Sequence, residues 1–269
     1  MSETDRVFTS SIAALYDRYL GPLIFREYAE DLARRAAAVG PAQVLETAAG
    51  TGIVTRALAR LLAAETEITA TDLNQAMLDF AASRPGSERV IWRQADAQRL
   101  PFDDGSFDMV LCQFGVMFFP DRLAGYREAK RALRPGGLFL FSVWDRIEEN
   151  ETSQIVSEAV AELFPDDPPQ FLARTPYSYH DVALIERELS AVGFTRIAIE
   201  TVARRSRAAS PRDPALGFCH GSPLRMEIEA RAPDGIEAVT NAVAAAIAAR
   251  FGTGAVDGKI QAHIVTASR

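Results

Sequence analysis

The sequence predicts an α/β protein with a seven-stranded, mostly parallel sheet and helices on both faces. Short apolar runs alternate with segments of helical spacing from residue 43 to residue 202, and this alternation is typical of parallel strands joined by right-handed helical crossovers. A glycine turn, Gly50-Thr51-Gly52, joins the first predicted strand to the next helix. Hydrophobic residues make up 48% of the 269 residues, which is enough for the core of one large domain.

An N-terminal helical segment is predicted to precede the sheet. Apolar residues recur at helical spacing over residues 10–38. We expect Gly21-Pro22 to break this stretch into two helices, because proline cannot continue the backbone hydrogen bonding of an α-helix. Gly40-Pro41 then separates this segment, residues 1–39, from an α/β domain at residues 40–269.

The strands and helices of the domain follow from the apolar pattern. Strands are predicted at residues 43–47, 68–72, 90–94, 107–112, 138–144, 196–202 and 259–267. Helices are predicted at residues 53–64, 74–83, 121–133, 152–164 and 181–192, with Asp121 as a cap and Gly193 as a stop. Two insertions, at about 145–180 and 204–258, are not needed to complete the sheet, and the second contains a helix with an apolar face from Ile236 to Phe251.

The glycine turn is the most informative stretch for function. Strand, glycine turn and helix form the layout of a nucleotide-binding unit, in which a ligand can approach the backbone closely and meet the free N–H groups of the helix start. Asp72 ends the next strand, about twenty residues on, where a carboxylate can accept hydrogen bonds from ribose hydroxyls. Asp72 is also placed to cap the helix that begins near Asn74, and the two roles are compatible.

The residues around the turn distinguish between nucleoside ligands. A dinucleotide fingerprint would place glycine or alanine where Thr55 stands. An ionised Glu46 at the edge of the turn would repel a pyrophosphate, but it would suit a ligand with a cationic amine and a sulfonium. S-adenosylmethionine is therefore the predicted cofactor.

Five motifs in order make the sequence resemble the class I S-adenosylmethionine-dependent methyltransferases, most of all the small-molecule branch related to the ubiquinone/menaquinone-biosynthesis methyltransferases. They are Val44–Gly52, Asp72, Gln94–Ala97, Phe107–Gln113 and Leu133–Gly137. The resemblance covers about residues 40–145. It implies a Rossmann-like fold with an antiparallel seventh strand at the sheet edge, and helical insertions that form a lid over the cofactor.

The resemblance also implies which residues contact the cofactor. Glu46, Ala48, Gly50, Thr51 and Gly52 would lie at its methionine part, Asp72 at the ribose, Asp96 and Ala97 at the adenine, and Gln113 at the methionine end. Leu73 is assigned to the cofactor site as well. Ala48 replaces the usual first glycine of the family, and a side chain this small still permits close approach.

The composition restricts the class of substrate and indicates the cellular compartment. The formal net charge of −7 disfavours RNA or DNA as a substrate, since such enzymes usually carry a basic face. Cys112 and Cys219 form no ligand pair and suit a reducing cytoplasm, and the three histidines lie too far apart in sequence to suggest a metal site. We find no signal or membrane-spanning pattern and therefore expect a cytoplasmic protein. A homodimer is left open.

Few side chains are candidates for catalysis. Tyr16 and His180 stand in the lid-like segments and could accept a proton. Tyr16 is also explained by packing, and His180 by the start of a helix. The segment Phe114–Phe119 is either a buried connection or an apolar wall beside the transferable methyl group. We expect the substrate pocket to be built from residues 8–28, 114–120, 145–180 and 205–230.

The sequence thus predicts an enzyme of the EC 2.1.1 type that methylates oxygen or carbon of a small, aromatic or otherwise apolar metabolite. Family members that methylate exocyclic amines of bases carry Asn/Asp-Pro-Pro-Tyr after the fourth strand, where this chain has Gln113-Phe114-Gly115-Val116. One alternative is a nicotinamide-dependent oxidoreductase, against which Thr55 and the match at Asp96-Ala97 argue. The other is a protein that binds S-adenosylmethionine without transferring its methyl group.

Overall fold

The computed structural model describes residues 10–232 and 235–269. The first nine residues of the predicted N-terminal segment therefore lie outside the described part. The strands are β1 (Gln43–Glu46), β2 (Glu67–Asp72), β3 (Val90–Gln94), β4 (Phe107–Gln113), β5 (Leu133–Trp144), β6 (Thr195–Ala208) and β7 (Val256–Ser268). They form one seven-stranded sheet in the order β3-β2-β1-β4-β5-β7-β6.

Helices surround this sheet. They are α1 (Ser10–Leu15), α2 (Arg26–Val39), α3 (Ile53–Leu61), α4 (Gln75–Ala82), α5 (Arg122–Ala132), α6 (Glu151–Leu163), α7 (Phe171–Arg174), α8 (Val182–Val192), α9 (Arg212–Gly221), α10 (Leu224–Arg231) and α11 (Ile236–Phe251). A π-helical segment, Tyr16–Phe25, joins α1 to α2. No helix in the described ranges is both long enough and apolar enough to cross a bilayer.

The predicted seven-stranded, mostly parallel sheet is confirmed, but the antiparallel seventh strand lies one position in from the edge where it was expected. Strand β1 pairs in parallel with β2 and β4, so that Val44 lies opposite both Ile68 and Met109. Strand β7 runs antiparallel to β5 and to β6, and it lies between them, so β6 is the outermost strand. Both β6 and β7 are longer than predicted, because their ends, Arg204–Ala208 and Val256–Ile260, pair only with each other and carry charged residues that obscure the apolar pattern.

The central strands form the core. Strands β1, β4 and β5 are buried for most of their length, which explains their nearly uninterrupted apolar sequences, since both faces of a parallel sheet are covered. Large side chains that are fully buried, including Tyr28, Tyr126, Phe139 and Phe141, fill the space between strands and helices. The carboxyl ends of these strands meet at one edge, where the candidate site lies.

The predicted helix ends are confirmed by their hydrogen bonds. The Asp121 carboxylate accepts from the backbone N–H of Ala124 at 3.0 Å and caps α5. The Asp181 carboxylate accepts from the N–H of Ala183 at 2.9 Å and caps α8. Gly193 ends α8 with a φ of +86°, a left-handed conformation that favours glycine.

The predicted break at Gly21-Pro22 is wrong. The chain remains helical from Ser10 to Val39, and Pro22 lies inside the π-helical segment. Here the N–H of Arg26 donates to the carbonyl of Gly21, five residues earlier. The wider π turn accommodates a residue that would disrupt a regular α-helix, so the segment continues across the site instead of bending away.

Candidate active site

The glycine loop, residues 47–52, is fixed to the strands on both sides of β1. The N–H of Thr47 donates to the carbonyl of Leu111 on β4 at 2.8 Å, and the N–H of Ala49 donates to the carbonyl of Thr71 on β2 at 2.9 Å. Gly50 has a φ of +56°, and a Cβ placed on it would meet no atom within 4 Å. The loop therefore presents the backbone of Gly50 to open space at the carboxyl ends of the strands.

Asp72 connects this loop to β2. One carboxylate oxygen accepts from the N–H of Gly50 at 2.8 Å, and the other accepts from the N–H of Asn74, the residue before α4, at 2.8 Å. Burial raises the pKa of Asp72, and the two backbone hydrogen bonds oppose this shift. Each oxygen retains acceptor capacity for a further hydrogen bond. The helix-start role of Asp72 is thus present, and it leaves room for a ligand hydroxyl.

Glu46 is almost fully buried behind the loop. Its carboxyl group accepts a hydrogen bond of 2.6 Å from the Thr55 hydroxyl, so Thr55, which breaks the dinucleotide fingerprint, has a definite structural role. Burial raises the pKa of Glu46 to about 8, while the Thr55 hydrogen bond and Arg56 act to lower it. The expectation of an ionised Glu46 is corrected accordingly: the carboxyl group on its own is mostly protonated at neutral pH, and a cation beside it would favour ionisation.

A small polar cavity lies between the glycine loop and β4. Glu46, Thr51 and Gln113 line it together with Tyr16 and Gly50. The hydroxyl oxygen of Thr51 and the amide oxygen of Gln113 are buried without a hydrogen-bond partner in the described protein. Buried acceptors are rarely left unpaired, and these two, with the Glu46 carboxyl group, form an acceptor set suited to an ammonium group.

A larger cavity continues from this point over the ends of β2, β3, β4 and β5. Its polar half is lined by Gly50, Asp72, Leu73, Asp96 and Ala97. One oxygen of Asp96 accepts from the N–H of Gln98 at 2.9 Å, which orders the turn after β3. The structure therefore brings together the residues that the sequence assigned to the ribose and adenine.

The opposite half of the cavity, called the aromatic half here, is built from distant segments. The side chains that form it are Leu20, Ile24 and Phe25 of the π-helical segment, Phe114, Phe118 and Phe119 after β4, Trp144 at the end of β5, Phe171, Leu172 and Tyr177, and Phe218 of α9. All four segments predicted to build the substrate pocket contribute lining residues.

Phe114 forms the border between the two halves. Its ring stacks on Trp144, with centroids 3.7 Å apart and planes at 3°. Its φ of +50° is unusual for a residue with a large side chain, and its N–H donates to the carbonyl of Ser142 on β5 at 3.1 Å. The strained backbone turns the ring toward the cavity side of β5, so the apolar-wall interpretation of Phe114–Phe119 agrees with the geometry.

Among the described residues, the charged groups of the larger cavity lie on its polar side. Within the described chain, the charged side chains that line the larger cavity are Asp72 and Asp96. The Tyr177 hydroxyl is engaged with Ser153 at 2.6 Å, and burial raises the pKa of Tyr177 well above its usual value. The aromatic half therefore offers a neutral surface.

The two candidate proton acceptors have different positions. Tyr16 lines both cavities and stacks on Phe25 with centroids 5.0 Å apart. Burial and the nearby Asp72 raise the pKa of Tyr16 strongly, so its hydroxyl resists ionisation. His180 is exposed and does not line either cavity. The structure does not bring His180 to the site, which leaves the helix-start interpretation, with Asp181 as the cap of α8.

Sequence reasoning did not single out Trp144, Phe171 or Phe218. Phe171 and Phe218 lie in insertions whose packing depends on tertiary contacts, and no local pattern marks them. Trp144 carried a usable signal, because it ends a buried strand as Asp72 and Gln113 do, and ligands of open α/β sheets bind at such ends.

Comparisons with known proteins found similar methyltransferases. Residues 45–141 match the methyltransferase domain family. The ubiquinone/menaquinone biosynthesis C-methyltransferase of Idiomarina loihiensis is 28% identical over 168 residues, which are 58% of this chain and 67% of that protein. The demethylmenaquinone methyltransferase of Deinococcus radiodurans is 38% identical over 133 residues, which are 48% of this chain and 55% of that protein. The match thus spans between about half and two thirds of these relatives.

Solved structures share the fold. Phosphoethanolamine N-methyltransferase 2 of Haemonchus contortus, in complex with phosphomonomethylethanolamine and S-adenosylhomocysteine, has a TM-score of 0.61 at 18% identity and covers 97% of this chain and 58% of that chain. The cyclase SpnF has a TM-score of 0.58 at 18% identity and covers 97% of this chain and 93% of that chain. At these identities the likeness shows the fold alone.

The fold and the polar cavity are those expected of an α/β domain that binds a nucleoside. Its residues 45–141 match the methyltransferase domain family, and quinone-biosynthesis methyltransferases are among the proteins that the chain resembles. These matches favour S-adenosylmethionine as the cofactor over the nicotinamide of the alternative interpretation. The lid, the homodimer and the contact roles of individual residues stay predictions.

Proposed function

We propose that this chain transfers the methyl group of S-adenosylmethionine to oxygen or carbon of a small, uncharged, aromatic or apolar acceptor. The observation that carries the proposal is the division of one cavity into a polar half at the glycine loop and a neutral aromatic half beyond Phe114. Such a division lets one site hold a charged cofactor and an apolar acceptor side by side.

The polar half would hold the cofactor. Glu46, Thr51 and Gln113 would accept hydrogen bonds from its ammonium group, which explains the unpartnered oxygens of Thr51 and Gln113. The Asp72 carboxylate would accept from the ribose hydroxyls with the acceptor capacity that Gly50 and Asn74 leave available. Leu73, Asp96 and Ala97 would surround the adenine.

S-adenosylmethionine supplies an electrophilic methyl group on a sulfonium. The task of the protein is then to hold a nucleophile in line with that group, and positioning of this kind contributes up to about 7–11 kcal/mol in the best cases. Phe114, stacked on Trp144, is a rigid surface against which an aromatic ring can be oriented. Leu20, Phe25 and Phe218 would exclude water from the acceptor.

The neutral lining favours acceptors that carry no charge, because a buried charge without a partner is costly. The cavity tyrosines, Tyr16 and Tyr177, do not readily serve as bases, because burial raises the pKa of each and keeps its hydroxyl protonated. The acceptor would therefore be one whose oxygen or carbon is nucleophilic without a protein base, as in an electron-rich enol or ring. The printed name of one relative, a C-methyltransferase, is in keeping with carbon methylation.

Turnover on a panel of acceptors tests the proposal. The purified chain is incubated with S-adenosylmethionine and, in turn, phenols, enols, quinols, carboxylates and amines, and S-adenosylhomocysteine is quantified by mass spectrometry. We expect turnover with neutral oxygen or carbon nucleophiles and little with carboxylates or primary amines. Transfer confined to amines would contradict the acceptor class.

The remaining alternative, a protein that binds S-adenosylmethionine without transferring its methyl group, is tested by comparing binding with turnover. If S-adenosylhomocysteine binds with micromolar affinity and no acceptor of the panel is methylated, a binding protein that transfers no methyl group becomes the better account. If neither cofactor form binds, the assignment of the polar half is wrong.

A further inference from the structure

Arg56 joins the glycine loop to the helical segment that crosses the cavity. It lies on α3, one turn after the loop. One guanidinium nitrogen donates to the carbonyl oxygen of Thr51 in the loop at 2.6 Å, and the other donates to the Asp17 carboxylate of the π-helical segment at 3.2 Å. A single side chain thus holds two elements that are far apart in sequence.

Asp17 is held from two sides. Its second carboxylate oxygen lies 3.5 Å from a guanidinium nitrogen of Arg84. Its side chain is only 11% exposed, and that of Arg56 is 21% exposed. Because the pair is mostly shielded from solvent, removal of one partner leaves the other charge poorly compensated, which costs more than the loss of a surface ion pair.

The residues on both sides of this contact face the cavity. Tyr16, the neighbour of Asp17, lines the polar and the larger cavity, and Leu20 lines the larger one. Thr51, whose carbonyl accepts from Arg56, lines the polar cavity, and its hydroxyl oxygen is buried without a hydrogen-bond partner. A displacement of the π-helical segment would therefore release Arg56 and, with it, a restraint on the loop.

The π-helical segment also packs closely on two helices, α3 and α9. A Cβ on Gly21 would lie 3.2 Å from the Cδ1 atom of Ile53, the first residue of α3. A Cβ on Gly221 of α9 would lie 3.1 Å from the backbone nitrogen of Tyr16. The segment thus fits between α3 and α9 with little free space.

We propose that Arg56 is a positioning residue that couples closure of the Tyr16–Phe25 segment to the conformation of the glycine loop. Opening the segment breaks the contact between Asp17 and Arg56 and loosens the loop, so the cofactor is held tightly only when the segment is closed. This inference rests on the proposed function for the identity of the ligand. The coupling itself rests on contacts within the chain.

A double-mutant cycle in the affinity for S-adenosylhomocysteine tests the coupling. We expect Arg56→Met and Asp17→Asn each to weaken binding by about tenfold or more, because each removes the same link. The double variant should bind within about threefold of the weaker single variant, since two changes to one link are not additive. The inference would be overturned if the loss of affinity in the double variant equalled the product of the two single losses. It would also be overturned if Arg56→Met bound within twofold of the wild type.

Two further variants separate positioning from general stability. Arg60, one turn further along α3, forms its ion pair with Glu30 of α2 and not with the π-helical segment. Arg60→Met should therefore leave the affinity within about twofold, as expected for an exposed pair. Arg56→Lys keeps the charge but cannot donate from two nitrogens of a planar group, so it should restore part of the lost affinity. An equal loss in Arg60→Met would contradict the assignment.

Hydrogen exchange without any ligand tests the coupling independently of the proposed function. In Arg56→Met the backbone amides of residues 16–25 and 47–52 should exchange faster than in the wild type, while those of β4 stay protected. Unchanged exchange in both segments would overturn the coupling. If the wild type does not bind S-adenosylhomocysteine, the proposed cofactor site fails, and this exchange comparison still decides whether Arg56 links the two elements.

Discussion

The two halves of the cavity are built in different ways. In the polar half, the residues lie at the ends of parallel strands, directly after them or in the glycine loop, and a short hydrogen bond joins two of these elements where the N–H of Gly50 donates to Asp72 at 2.8 Å. In the aromatic half, Phe25, Trp144, Phe171 and Phe218 come from four segments that the tertiary packing brings together. We infer that the polar half fixes the cofactor through local geometry and that the aromatic half depends on the whole tertiary structure.

The largest effect is expected at Gly50. Valine at this position would adopt a strained left-handed conformation and fill the open space in front of the loop. Gly50→Val should weaken S-adenosylhomocysteine binding by about 100-fold or more, measured by calorimetry. Two effects contribute to this loss: the strain of the valine backbone and the steric blockage of the ligand by its side chain.

Gly86 is the matched control for this change. It has a φ of +88° and open space around its position, but it is exposed and lies in the loop before β3, outside the cavity. Gly86→Val should carry a similar backbone strain and leave the affinity unchanged. Equal losses in both variants would mean that strain, and not blockage of the site, explains the effect.

Asp72 is expected to have the next largest effect. Asp72→Asn keeps the size of the side chain but removes its charge and one acceptor, so the affinity for S-adenosylhomocysteine should fall by about 10- to 100-fold. Asp108 on β4 also accepts from two backbone N–H groups, those of Ala42 and Gln43, far from the cavity. Asp108→Asn should lower the melting temperature without changing the affinity. An Asp72→Asn affinity within twofold of the wild type would rule out the ribose role.

Phe218 tests the aromatic half. Phe218→Leu removes part of the apolar surface that lines the cavity, and kcat/KM for the best acceptor of the panel should fall by about tenfold, while S-adenosylhomocysteine binds as before. Phe194 is similarly buried but packs on Phe139, away from the cavity. Phe194→Leu should affect stability alone. A parallel loss of cofactor affinity in Phe218→Leu would show that the two halves are not separate.

The smallest expected effect is a pH dependence from Glu46. Its pKa is raised by burial from 4.5 in the unfolded chain to about 8 in the fold, so the folded state alone binds the proton between these values. This group therefore costs stability progressively as the pH rises from about 4.5 to 8. A bound ammonium favours the ionised form, so affinity for S-adenosylhomocysteine should rise with pH toward 8, with proton release on binding.

Calorimetry at pH 7 in two buffers of different ionisation enthalpy measures this release. The wild type should release a fraction of one proton, and Glu46→Gln, which cannot ionise, should release less. Identical release in the two proteins would place the ammonium away from Glu46.

Sequence reasoning recovered the fold and the polar half because their signals are local. The glycine turn, the acid at the end of β2 and the caps Asp121 and Asp181 each depend on neighbours within a few residues or on the end of a strand. The continuous helix through Pro22 was missed, because a π turn is stabilised by the elements packed on it, here α3 and α9. The raised pKa of Glu46 was missed for a similar reason, because it is caused by burial, which the tertiary packing determines.

The aromatic half shows the same limit. The segments that form it were predicted, but the stack of Phe114 on Trp144 joins the ends of β4 and β5 and depends on a left-handed backbone at Phe114. No local sequence pattern predicts a left-handed backbone at a residue as bulky as phenylalanine. Which aromatic side chains of the insertions point into the cavity is decided by the packing of α7 and α9, which the sequence pattern does not encode locally.

A crystal structure of the complex with S-adenosylhomocysteine is the most direct test of the division of the cavity. The account predicts ribose hydroxyls within hydrogen-bond distance of Asp72, the ammonium at Glu46 and Gln113, and the sulfur at the border formed by Phe114, with the aromatic half left to the acceptor. A nucleoside that lies against Trp144 and Phe218, with Asp72 making no contact to it, would contradict the account.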